Sequence, residues 1–175
     1  MVRLRTVATP SAGRITVIVL VVAMVAMWVY VVYLAVGPGR QPPPDRLADP
    51  AFAVAAQRRC AAAQAIVGQL PTANLSETAS EQAAVVERAN DVFVAMLEDL
   101  DTLVPPTGEG RLVEAWLADW RIYLDDRERY ADALRSDPDA RLLVSAKDRE
   151  QITEFIDAFA ADNRMPACAT PLDVG

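Results

Sequence analysis

Between Ile15 and Val36 the chain runs for 22 residues without a charge, a glycine or a proline. As an α-helix rising about 1.5 Å per residue, such a run reaches roughly 33 Å, slightly more than the hydrocarbon core of a bilayer. Val and Ile dominate it, yet in lipid every backbone N–H must be bonded within its own segment, so β-branched residues still take the helix. Trp28, Tyr30 and Tyr33 gather in its C-terminal half, where amphipathic rings near an interface set the depth of insertion. Gly37, Pro38 and Gly39 then stop it. Residues 15–36 therefore read as a transmembrane anchor, and the rest of the chain has to fold on one side of it or the other.

Charge decides which side. Arg3, Arg5 and Arg14 precede the run, whereas Arg40 and Arg46 after it are offset by Asp45 and Asp49. Positive flanks stay in the cytoplasm, so residues 1–14 are expected to be a cytoplasmic tail and everything after residue 36 to be extracytoplasmic, at the cell membrane. A cleaved signal peptide is the competing reading, but its apolar region spans about 7–15 residues and ends in a small-x-small exit. The one exit of that kind here, Ala35-Val36-Gly37, is followed by Pro38, a poor residue at a cleavage point.

All 24 acidic residues lie at or after Asp45. Removing the three N-terminal arginines from the 17 basic residues leaves 14 against 24, a net of about −10 for the part beyond the anchor. A body with that charge repels phosphate backbones, which excludes nucleic acid as the expected partner. Lys147 is the one lysine among the basic residues, and with so much Ala, Val, Asp and Pro this reads as the coding bias of a GC-rich bacterial genome.

Residues 37–50 hold five prolines in fourteen residues, three of them consecutive at Pro42-Pro43-Pro44. Such a stretch favours polyproline II and predicts a semi-rigid linker of up to roughly 40 Å. Beyond it, Cys60 and Cys168 are the two cysteines of the chain, both on the side expected to be oxidising. A disulfide between them is the default there. Two buried free thiols or pairing between chains are the competing readings. The spacing rules out a CxxC redox motif, and a two-cysteine zinc site without histidine is a poor fit.

Periodicity predicts four helices in residues 51–175. The first runs from about Pro50 to Leu70, with Phe52, Ala56, Ala63, Ile66, Val67 and Leu70 on its apolar face and Pro71 ending it. The second opens on a capping box, Thr78 with Glu81 three residues on, and continues to Leu103, burying Val86, Ala89, Phe93, Met96, Leu97 and Leu100. Pro105-Pro106 terminates it. The third spans about Gly110 to Leu134. After an extended stretch at Arg141–Val144, Ser145 with Asp148 reads as the N-cap of a fourth helix that ends at Asp162 and buries Ile152, Phe155, Ile156 and Phe159. The expected fold class is all-α: one transmembrane helix followed by an antiparallel four-helix-bundle-like extracytoplasmic domain, with the disulfide supporting its core.

The most concentrated feature is the third helix. Val113, Trp116, Trp120, Tyr123, Arg127, Tyr130 and Leu134 recur at alternating spacings of three and four, which puts all of them on one stripe. One reading makes this a core face, with Arg127 laid over a ring or paired with Asp126, Asp91 or Glu87. The other makes Trp116, Trp120, Tyr123, Arg127 and Tyr130 a ligand or partner face that stays partly open. Acid clusters at Glu98-Asp99-Asp101, Asp125-Asp126 and Asp137-Asp139 lack the spacing of a calcium loop and read as solvated faces.

Absences narrow the function. The sequence has no histidine, which removes Ser-His-Asp and Cys-His catalysis and histidine-ligated metals. Gly108-Glu109-Gly110 lies after a helix and lacks the strand context of a phosphate loop. Lysine-assisted serine chemistry would rest on Lys147 with Ser145 alone. No cofactor is expected, and acid-only hydrolysis is the one enzymatic possibility kept. The layout, rather than any motif, resembles that of membrane-anchored exported proteins of GC-rich bacteria. The expected function is a non-enzymatic, single-pass protein whose helical domain meets a protein partner in the cell envelope or scaffolds an assembly. The alternative is a bundle that binds a small ligand or lipid on its Trp116/Trp120/Tyr123 face. The oligomeric state is not legible in the sequence.

Overall fold

The computed structural model describes residues 12–36 and 43–173, which fall in two units divided between Pro42 and Pro43. The arginines at 3 and 5, the stop at Gly37-Pro38-Gly39 and the linker residues up to Pro42 lie outside the described residues. The described chain is mostly helical, with five helices and almost no strand.

In the first unit, α1 covers Ala12–Val36, beginning one turn before the uncharged run. It is the one described helix long and apolar enough to cross a membrane. Its large apolar side chains, Leu20, Val29 and Trp28 among them, are exposed.

The second unit begins at Pro43, so its start lies seven residues before the expected end of the linker. Leu47 is buried, and its N–H donates to Asn163 Oδ1 at 2.8 Å. Asn163 Nδ2 in turn donates to the Asp45 carbonyl at 3.0 Å. With a further bond from Nδ2 to the Phe159 carbonyl at 3.0 Å, one asparagine side chain thus satisfies three backbone groups and fastens the end of the proline stretch to the helical core.

α2 spans Ala51–Val67 and buries Phe52, Ala53, Ala56, Cys60, Ala63 and Val67. It ends three residues earlier than expected, and Ile66, expected on its apolar face, is 52% exposed. Phe52, Ala56, Cys60, Ala63 and Val67 recur at spacings of four, four, three and four, and this stripe leaves Ile66 turned away. α3 spans Ala79–Asp101 and opens on the expected capping box: the Glu81 N–H donates to Thr78 Oγ1 at 3.2 Å, and the Thr78 N–H donates to Glu81 Oε2 at 3.0 Å. All six residues expected on its apolar face are buried. α4, Gly110–Ser136, is the longest element of this unit and packs against both α3 and the last helix, while α2 packs on α3.

The segment after α4 departs from expectation. No helix starts at Ser145. Ala146–Lys147 forms β1 and Glu150–Gln151 forms β2, paired antiparallel with Ala146 opposite Gln151 and Lys147 opposite Glu150. The two turn residues, Asp148 and Arg149, have φ of 50° and 76°. Positive φ at both central positions matches the right-handed twist of a two-residue hairpin, and aspartate at the first position accepts it readily. The expected cap is corrected accordingly: Ser145 faces Asp126 of α4, and α5 runs from Ile152 to Asp162 with Gln151 before it and no side-chain cap bond.

α5 ends in a Schellman motif. Arg164 takes φ 59°, its N–H donates to Ala161 O at 3.1 Å, and the Met165 N–H donates to Ala160 O at 2.7 Å. Met165 is buried, so the motif turns the chain back into the core. Cys168, in a short 3-10 turn over Pro166–Cys168, then reaches Cys60 of α2 as a disulfide with Cα atoms 5.1 Å apart. The bridge closes a loop of 108 residues, which in the chain-entropy account contributes up to about 4.7 kcal/mol.

Candidate functional site

The structure places Trp116, Trp120, Tyr123, Arg127 and Tyr130 of α4 all inside the unit. Helical spacing brings them onto one face, and α2, α3 and α5 cover it. Trp116 stacks on Phe159 of α5 with centroids 5.2 Å apart and meets the edge of Phe52 at 6.3 Å. Its Nε1–H donates to the Ile156 carbonyl at 3.2 Å. Trp120 lies between Phe93 and Tyr123, each with its centroid 5.9 Å away, and its buried Nε1–H has no hydrogen-bond partner among the described residues. Tyr130 Oη accepts from Gln82 Nε2 at 3.0 Å.

Arg127 is the exceptional member, a fully buried guanidinium. Such a charge has to be paired and its donors bonded, or its desolvation is not offset. Here Nε donates to Asn90 Oδ1 at 2.7 Å, while Nη1 and Nη2 donate to the two carboxylate oxygens of Asp173 at 2.7 Å each. Phe93 and Tyr123 offer their ring faces at 5.5 and 5.7 Å. The pairing expected from sequence is thus corrected. Asp126 instead accepts from the Ser145 N–H and hydroxyl and from Arg129, and Glu87 pairs with Arg135. Asp91 is exposed on α3. The true partner stands 46 residues away at the far end of the described chain. Burial works to lower the Arg127 pKa, but hydrogen bonding and charge from Asp173 outweigh it and the net shift is upward. Burial raises the Tyr123 phenol above its ordinary value, with the neighbouring Arg127 charge acting against it.

Two of the openings beside this core border the aromatic stripe or the partner of Arg127. One, of about 290 Å³, is lined by Val67, Leu70, Val85, Ala89 and Pro171 and borders Asp173. The other, of about 150 Å³, has Trp116, Phe155 and Phe159 as apolar walls and Asp45, Asp119 and Lys147 as polar ones. Lys147 is positioned there by β1. Its Nζ donates to both oxygens of Asp119 at 2.9 and 2.8 Å and lies 5.0 Å from the centre of the Phe155 ring. Ser145 and Lys147, the one serine–lysine pairing considered from sequence, are thereby directed to different carboxylates, Asp126 and Asp119.

Asn90, Asp119, Phe155 and Asp173 complete these two centres and carried no site signal in the sequence. Phe155 was legible as an apolar residue of the last helix, and Asp173 as one acid among 24. Among the described residues no group of three or more Cys, Asp or Glu is arranged to hold a metal ion. Comparison of the chain with protein-family models, with curated proteins and with solved structures gave no match.

Proposed function

We propose that the chain is a single-pass membrane protein, with its N-terminus in the cytoplasm and its helical unit outside the cell membrane. That unit binds a protein partner in the cell envelope or scaffolds an assembly there, and carries out no catalysis. The observation that carries this reading is α1, whose apolar side chains are exposed from Ile15 to Leu34. Such a surface is stable in lipid and costly in water. The Cys60–Cys168 disulfide supports an oxidising compartment for the second unit. In this reading α2 to α5 form an antiparallel four-helix bundle, supported by the packing of α2 on α3, α3 on α4 and α4 on α5.

Two measurements on the full chain test the proposal. Alkaline phosphatase fused after Gly175 is expected to be active, since it folds only outside the cytoplasm. Crosslinking in intact membranes followed by affinity capture is expected to return a specific envelope protein. A silent fusion overturns the orientation, and a capture at background level overturns the scaffold role.

A second reading, ligand binding on the Trp116 side of α4, is favoured by the cleft between Trp116, Phe155 and Phe159. Trp120, Tyr123, Arg127 and Tyr130 do not line it, so the expected face contracts to Trp116. Quenching of tryptophan fluorescence by a metabolite or lipid, lost in Trp116→Phe, supports this reading. A signal unmoved across the panel rejects it.

A further inference from the structure

The Arg127–Asp173 pair is asymmetric. The arginine side chain is 0% exposed and the aspartate side chain 23%, so solvent reaches the pair from the aspartate side alone. Arg127 is held rigidly from within: Asn90 accepts from its Nε, and Phe93 and Tyr123 flank the plane of its guanidinium. Its two outward N–H groups form a fork of fixed direction that matches the two oxygens of a carboxylate.

The segment that brings Asp173 there is anchored behind it. The Thr170 N–H and hydroxyl donate to the Asp157 carboxylate at 2.7 and 3.1 Å. Two residues on, Leu172 is 101% exposed at the margin of the neighbouring cavity. Asp173 therefore reaches the fork at the end of a short strap, and the cavity of about 290 Å³ opens directly beside it, with Val67, Leu70, Val85 and Ala89 as an aliphatic wall and Gln64 and Thr72 as polar members of the lining. That volume lies just below the range of drug-sized ligand sites, roughly 300 Å³ and upward, and suits a smaller molecule.

We propose that the Arg127 fork is a binding site for a small aliphatic monocarboxylate, whose place Asp173 holds in this structure, with the ligand's chain in the adjoining cavity between Val67, Leu70 and Val85. The ligand's two oxygens replace those of Asp173 on Nη1 and Nη2, so the buried charge stays paired throughout the exchange. The carboxyl group supplies the charge that the fork requires, and the chain supplies apolar contact that Asp173 lacks. This site is separate from the membrane and scaffold reading and stands or falls without it.

The test is calorimetric titration of the full chain in lipid nanodiscs with acetate, butyrate and hexanoate, and with hexanol as the uncharged control. Wild type is expected to bind hexanoate weakly, because Asp173 competes. Asp173→Ala is expected to bind it at least tenfold more tightly than wild type, and at least tenfold more tightly than acetate. In the Asp173→Ala background, Thr72→Phe at the cavity rim is expected to remove the chain-length gradient while acetate binding persists. Equal affinity of Asp173→Ala for acetate and hexanoate overturns the proposal, since the pair would then be a structural ion pair open to any anion. Equal binding of hexanol overturns it as well, by showing that the fork recognises nothing.

Discussion

Arg127 and Asp173, 46 residues apart, meet in two parallel hydrogen bonds of 2.7 Å that join the middle of α4 to the segment beyond the disulfide. The arginine has no solvent of its own, so the pair is the condition on which this part of the core can hold a charge. Asp173→Ala is expected to destabilise the folded unit by about 3 kcal/mol, the low end for breaking a buried pair because water reaches the aspartate. Arg127→Met combined with Asp173→Ala is expected to cost less than the sum of the two single changes, since no charge is left behind. Chemical denaturation of the four proteins measures this as a double-mutant cycle.

Alkaline stability follows from Tyr123. Its phenol titrates above the ordinary value of 10.0 because burial disfavours the phenolate, so the folded state holds that proton more tightly than the unfolded state does. The sign follows: the contribution is complete below pH about 10 and is lost as pH rises through the folded value. Melting temperature is expected to fall steeply above pH about 10, and Tyr123→Phe is expected to flatten that fall. An unchanged alkaline limb in the variant counts against the assignment.

The two tryptophans of the stripe respond differently to the same change. Trp116→Phe removes a ring and the bond from Nε1–H to the Ile156 carbonyl. Trp120→Phe removes a similar ring but also an unpartnered buried N–H, which relieves a desolvation cost. Trp116→Phe is therefore expected to be the more damaging by on the order of 1–2 kcal/mol. Urea unfolding of the two single variants decides it, and the reverse order contradicts the bonding pattern.

Left-handed backbone is occupied by arginine in two places. Arg149 has φ 76° in the hairpin turn and Arg164 has φ 59° in the Schellman motif, both conformations that glycine takes without a Cβ penalty. Arg164→Gly and Arg149→Gly are each expected to raise stability by roughly 0.5–1 kcal/mol, the left-handed strain relieved less the extra entropy glycine loses on folding. Thermal denaturation reads the gain, and a loss at Arg164 shows that its side chain makes contacts that outweigh the strain.

Features that depend on neighbours along the chain were legible in the amino-acid order. The uncharged run produced α1 to within one turn, the Thr78–Glu81 pair marked the start of α3, and three-four spacing identified the buried stripe of α4. These are signals of period and local hydrogen bonding, and they need no knowledge of what packs where. The Cys60–Cys168 bridge was also legible, because two cysteines leave one intramolecular pairing. Features set by packing between distant segments were not. The hairpin at Ala146–Gln151 was hidden because Asp148-Arg149 lacks the glycine that marks such turns, and Asp126 of α4, by binding Ser145, removed the helix cap the sequence offered. Asn163 drew Asp45 and Leu47 out of the expected linker and onto the core. Above all, the partner of Arg127 had to be chosen among 24 acids, and the sequence pointed to Asp126 beside it or to Asp91 and Glu87 of the preceding helix. Only the chain path through the disulfide brings Asp173 to the open side of the guanidinium, and a long-range ion pair leaves no period in the sequence to read.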